Sequence, residues 1–162
     1  MIDRYLRFCR MLDIAARGLC SVAALALAAT VLLIVVLRYG FGVGYIELQD
    51  AASYAFAALA IFSIPVCLAH QGHVRVEVIS EKLGERYRRG SDIVALVLFL
   101  IPVFGLLIWA YWPDLAYSWS IREASVETGG LGGLFLLKTA LPLAAALTIL
   151  QGIAAVLARR PL

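Results

Sequence analysis

The sequence predicts an all-α integral membrane protein with four transmembrane helices, short amphipathic interfacial helices, and both termini cytoplasmic. Three observations carry that reading. Of 162 residues, 63% are hydrophobic and only 15% charged, with a mean hydropathy of +0.91, far more apolar than a soluble domain of this size. Four windows of about 20 residues contain almost no charge, and a helix of that length rises roughly 30 Å, the thickness of the hydrocarbon core. The basic residues are also unevenly placed. Eleven of the 14 Lys and Arg lie before the first window, in the central loop or at the C-terminus, against Arg38, Arg122 and Lys138 elsewhere. Basic residues in short loops are retained in the cytoplasm, so both termini and 70–92 are expected there and the two shorter loops outside.

Residues 1–162 are read as a single four-helix membrane domain, with spans at about 18–37, 51–69, 93–112 and 130–157. They leave no room for a separate soluble catalytic domain. The N-terminus lacks the pattern of a cleavable signal, since four arginines extend through Arg17 before an apolar run of full span length, and the first span is expected to stay in the mature protein. Between Ile2 and Arg17, Ile2, Leu6, Cys9, Leu12 and Ala16 share one side, with Asp3, Arg7, Arg10, Ile14 and Arg17 opposite. Two forms fit this pattern: a short helix lying in the headgroup layer with its arginines toward anionic lipid, or a plain extension of the first span.

The first span, 18–37, carries no charge and ends at Arg38-Tyr39-Gly40-Phe41-Gly42, an interfacial turn. Arg38 is placed to reach outer headgroups or to bind a carboxylate such as Glu47 or Asp50. The second span is rich in alanine. Ala51, Ala52, Ala55, Ala57, Ala58 and Ala60 permit the close backbone approach that drives helix association in lipid, and Pro65 is expected to bend the helix near its end.

The polar stretch His70 to Asp92 divides the chain into two apolar halves. His70, His73 and Glu77 would share one face of a continuous helix, but Gly72 interrupts it and no fourth ligand is evident, so a metal site is not expected. Val76, Ile79, Leu83 and Tyr87 recur at helical spacing, as in a short amphipathic surface helix. The third span is expected to end at the aromatic cluster Trp109, Tyr111, Trp112 and Pro113, since Trp and Tyr favour the headgroup level. A mainly acidic outer loop with Asp114, Arg122, Glu123 and Glu127 follows. Lys138 is the one full charge well inside an apolar run; it either snorkels outward or pairs, with Glu127 or Glu123 in reach.

The chemistry expected of other function classes is missing. A self-sufficient transporter normally places polar or ionisable groups near the midplane, often with broken helices or inverted repeats, and the middles of the first three spans have none. A haem anchor needs axial ligands projecting from the spans, whereas His70 and His73 both lie at one membrane end. Cys9, Cys20 and Cys67 lack paired spacing and read as small apolar residues. Nucleic-acid binding is not expected from a net charge of +3, because membrane topology already accounts for the basic residues. No catalytic constellation is present, and the chain reads as a packing or scaffold subunit rather than an enzyme.

Several segments resemble the small membrane subunit of TRAP transporters, the DctQ-like family. They are Arg38-Tyr39-Gly40-Phe41, Glu47, Tyr54, the string Gly72-His73-Val74-Arg75-Val76-Glu77-Val78-Ile79 and Leu141-Pro142-Leu143. The family often has Asp where this chain has Glu77, which keeps the charge. The resemblance implies a tripartite, ATP-independent system in the bacterial inner membrane. Its partners would be a periplasmic substrate-binding protein and a large polytopic membrane subunit, importing an organic acid with sodium. Substrate and sodium sites would belong to the large subunit, leaving no cofactor on this chain, which would act as a scaffold. On that basis Arg38, Glu47, Tyr54, His73, Arg75 and Glu77 are expected at subunit contacts or as lipid anchors, and Lys138 is expected there too as the one full charge within the fourth span. The alternatives from other classes are the membrane anchor of a redox enzyme and an independent small transporter or channel.

Overall fold

A computed structural model describes residues 2–70, 85–125 and 129–158. Those residues are helical apart from two connectors, and four helices are long and apolar enough to cross a membrane. We label them α1 (Ile2–Gly40), α2 (Ile46–Ala69), α3 (Glu85–Val94), α4 (Ile101–Ser120) and α5 (Leu134–Ala158), with a π-helical segment, Ala95–Leu100, joining α3 to α4 into one rod.

The helices run beyond the lengths that hydropathy suggests. The segment from Ile2 to Arg17 is a continuous extension of the first span, so α1 reaches 39 residues, about 58 Å at 1.5 Å per residue. A lone Gly18 costs about 1 kcal/mol in a helix, too little to break one whose next turns are packed. Cys9, Asp13 and Ala16 are all buried on the inner face. α2 begins at Ile46 and so takes in Glu47 and Asp50.

The third span does not stop at Trp112 and Pro113 as expected; α4 continues to Ser120. Proline removes one backbone bond and bends a helix more readily than it ends one when the following turns are held. Leu115 and Ser118 are buried there at 8% and 0% exposure. Asp114 therefore projects from a helix and not from a loop. Pro102 is met differently. The turn before it widens, with the Ile101 N–H reaching Leu96 five residues back, which leaves space for the ring that would otherwise strike a carbonyl.

The helices form a layer in the order α1, α2, α5, α4, with α1 also touching α5. α2 and α5 are the inner pair. Phe62 of α2 packs against Ala140 and Ala144 of α5, with Cys20 of α1 closing the cluster. Ala55 and Ala58 are half-buried on the side of α2 that leads to Phe62, Pro65 and Ala69. The deepest packing belongs to α5, where Ala144, Ala145, Thr148, Gly152 and Ala154 are buried. Small side chains let backbones approach closely, which is what holds helices together where lipid is as apolar as the protein. Gly152 is a close approach between helices: a Cβ there would lie 3.1 Å from Leu96 Cδ1 and 3.1 Å from Leu100 Cδ1.

The turn between α1 and α2 uses Gly42 at φ 68°. Its left-handed backbone lets the Val43 N–H reach back to Leu37 O at 3.2 Å, the same carbonyl that accepts from the Phe41 N–H at 3.1 Å. The connector from 121 to 133 bends at Arg122 (φ 49°), Gly129 (φ 85°) and Gly133 (φ 95°).

Candidate functional site

Charged side chains are absent from the middle of every span. None occurs between Arg17 and Arg38, between Asp50 and His70, between Asp92 and Asp114, or from Thr139 to Ala158. The polar groups collect instead in two clusters at opposite ends of the layer.

One cluster joins the start of α1 to the ends of α2 and α5. Asp13 is 2% exposed, and its Oδ2 lies 3.1 Å from Arg17 Nε and 3.0 Å from His70 Nε2. Asp13 precedes Arg17 by four residues, so both point to the same side of α1. One turn earlier, Gln151 Nε2 donates to the Cys9 carbonyl at 3.0 Å and the Tyr5 hydroxyl donates to the Leu150 carbonyl at 2.8 Å. These bonds cross from α1 to α5. A buried carboxylate needs compensating donors, and this one draws them from two helices.

The second cluster ties α2 and α4 to the connector before α5. Leu131 is held by its backbone: its N–H donates to Asp50 Oδ2 at 2.8 Å, and its carbonyl accepts from Tyr54 OH at 3.0 Å and from the Ser125 N–H at 3.0 Å. Beside it, Lys138 Nζ lies 2.6 Å from Glu123 Oε2 and 3.3 Å from Asp114 Oδ2. The Lys138 ammonium, with help from the Ser118 hydroxyl, holds the Glu123 carboxyl below the usual glutamate range. Trp119 closes the corner, donating from Nε1 to Thr139 Oγ1 at 2.9 Å and meeting the Phe135 ring edge-on at 4.9 Å.

The residues singled out from sequence are therefore scattered. Lys138 pairs within the chain, with Glu123 and with Asp114, which hydropathy assigned to a loop. Tyr54 fastens the connector. Arg38 and Glu47 are exposed near the α1–α2 turn, and Arg38 makes no ion pair with Glu47 or Asp50. His73, Arg75 and Glu77 lie outside the described residues, as do Glu127 and most of the amphipathic segment from Val76 to Tyr87. Sequence reasoning missed Asp13 and Gln151. Asp13 carried one usable signal, its place on the Cys9–Ala16 side of the helix four residues before an arginine; Gln151 carried none beyond its presence in an apolar run.

Chemically, both clusters are clamps. His70 and Asp13 form a hydrogen-bonded pair, and among the described residues no group of three or more His, Cys, Asp or Glu is placed to hold a metal ion. An apolar groove on α4, lined by Gly105, Ile108, Trp109, Ala110, Trp112 and Pro113, contains none of the residues of either cluster.

Comparison with known families supplies the assignment. A family model described as Tripartite ATP-independent periplasmic transporters, DctQ component, matches residues 27–161. No curated protein and no solved structure matched the chain. The match spans most of the chain and all four apolar helices at least in part. The protein belongs to the DctQ family, a multi-pass membrane component of a transporter and not a member of an enzyme family.

Proposed function

We propose that this chain is the non-transporting membrane subunit of its system, a scaffold that braces a large polytopic permease subunit during sodium-coupled uptake of an organic acid. The observation that carries the reading is the separation of polar groups. A chain that moved an ion or acid would need ionisable groups along its path through the bilayer, whereas here the charged residues lie at the two ends, several of them paired, and the span middles carry no charge. Clamping both ends gives a layer of fixed helix order, suited to holding a neighbour in place. The outer faces of α1 and α4 are apolar and open, with Leu25 at 72% exposure and Trp109 at 75%, offering surfaces for partner helices or lipid.

In this reading the Asp13 end, with most of the basic residues, faces the cytoplasm of a bacterial inner membrane. The Lys138 end and both short connectors face the periplasm, where a substrate-binding protein docks. Sodium and substrate are held by the large subunit. The test is to tag the chain in its native operon, purify it in mild detergent and identify its companions by mass spectrometry. A single large polytopic membrane protein is the expected companion. Recovery with a soluble flavin or iron–sulfur subunit, or alone as a homo-oligomer that moves solute when reconstituted, would overturn the proposal.

A further inference from the structure

Two parallel ridges run along the face of α1 turned away from the other helices. Arg4, Arg7 and Arg10 form one, and Phe8, Met11 and Ile14 form the other, each four residues after an arginine. All six are exposed, the apolar three at 53%, 70% and 56%. None of the three arginines makes an ion pair or side-chain hydrogen bond among the described residues. Arg17, by contrast, is taken up by Asp13.

Residues four apart are neighbours on a helix surface, so every arginine lies beside one large apolar side chain set a turn nearer the span. The depth is also defined. Asp13 meets His70, which directly follows α2, so the ridges lie at and beyond the end of that span. A phospholipid presents the same order in the same direction, phosphate outermost and acyl chain beneath it. Water alone would leave three large apolar side chains hydrated, and a protein would have to offer carboxylates to three unpaired guanidinium groups at once.

We propose that this double ridge is a binding surface for anionic phospholipid, with Arg4, Arg7 and Arg10 on the phosphates and Phe8, Met11 and Ile14 against the upper acyl chains. It fastens the outward face of the first turns of α1 to one leaflet and sets the depth of the Asp13 clamp.

The test is lipid selectivity of the full chain in bilayers of phosphatidylcholine and phosphatidylglycerol, read from the motionally restricted fraction of spin-labelled lipid. Phosphatidylglycerol should be preferred, and the preference should fall as salt rises toward about 1 M, where charges are screened within a few ångströms. R4Q/R7Q/R10Q should lower it, by up to about fivefold for each arginine, while R4K/R7K/R10K should retain most of it. Equal selectivity in the glutamine variant and the unaltered chain would overturn the proposal. Should that variant fail to insert, the salt titration of the unaltered chain decides, and a preference indifferent to salt is the refuting result. Loss of the preference in the complex purified from native membranes would put a protein on the ridge and refute it as well.

Discussion

Gly130 offers the sharpest test of how the connector before α5 is held. A Cβ at this position would lie 2.5 Å from Asp50 Oδ2, 2.6 Å from Ser125 Cβ and 2.7 Å from Ser125 Oγ, so Gly130→Ala forces something to move. Asp50 cannot retreat freely, because the same oxygen accepts the Leu131 N–H at 2.8 Å. Moving the connector instead pulls Leu131 O away from Tyr54 and Ser125. Losing a hydrogen bond to a charged acceptor costs about 1.5–3 kcal/mol and forced overpacking about 1–3 kcal/mol. The two are alternatives and not a sum, since breaking the bond relieves the clash, so the cheaper route sets the expected cost at about 1–3 kcal/mol. Gly132 is the control, two residues away with nothing within 4 Å of its Cβ position; Gly132→Ala should stay within about 0.5 kcal/mol of the unaltered chain. The assay is reversible unfolding in mixed micelles of the full chain, followed by circular dichroism and Trp fluorescence. In an Asp50→Ala background the cost of Gly130→Ala should shrink, because the nearest obstacle is gone. Equal stabilities for the two alanine variants would refute the cradle described around Leu131.

Three further outcomes follow from the same geometry. Asp13 is buried while Arg17 and His70 are 48% and 38% exposed, so R17A/H70A, which strands a buried carboxylate, should cost about 3–5 kcal/mol and exceed D13A; the same unfolding assay decides, and the reverse order would contradict the clamp. Gly152→Ala should cost about 1 kcal/mol and Gly152→Leu up to about 3, because Leu96 and Leu100 occupy the space, whereas Gly105→Ala, inside α4 with nothing nearby, should cost nothing and gain up to about 1 kcal/mol of helix propensity. Glu123 is held below its usual range by Lys138, so its contribution to stability is fully present above the ordinary glutamate pKa and is lost as pH falls through the depressed one. Acidification should loosen the packing of Trp119 on Phe135, seen in Trp fluorescence, and Glu123→Gln should remove that acid step.

Composition and local patterning were enough to identify the class of this protein. Whether a stretch of about 20 residues enters a bilayer depends on the transfer free energy of its own side chains, a sum that can be made along the chain without knowing its neighbours. Four apolar windows, the basic bias of the ends and the string from Gly72 to Ile79 were all legible for that reason, and the family followed. Helix ends were less so. α1 runs through Gly18 and α4 through Pro113 because Asp13, Ala16, Leu115 and Ser118 are packed in the turns beyond, and packing is not a local sum. Only the tertiary structure decided which polar groups meet. Asp13 finds His70 across 57 residues, Leu131 finds Asp50 across 81, and Lys138 finds Asp114 across 24. In a soluble bundle the apolar stripe of each helix would announce which side turns inward. Here lipid and core are equally apolar, so the sequence around each span is nearly uniform and its rotation is set by small residues such as Gly152 and Ala144 and by the end clamps. Those contacts exist only once all four helices have taken their places.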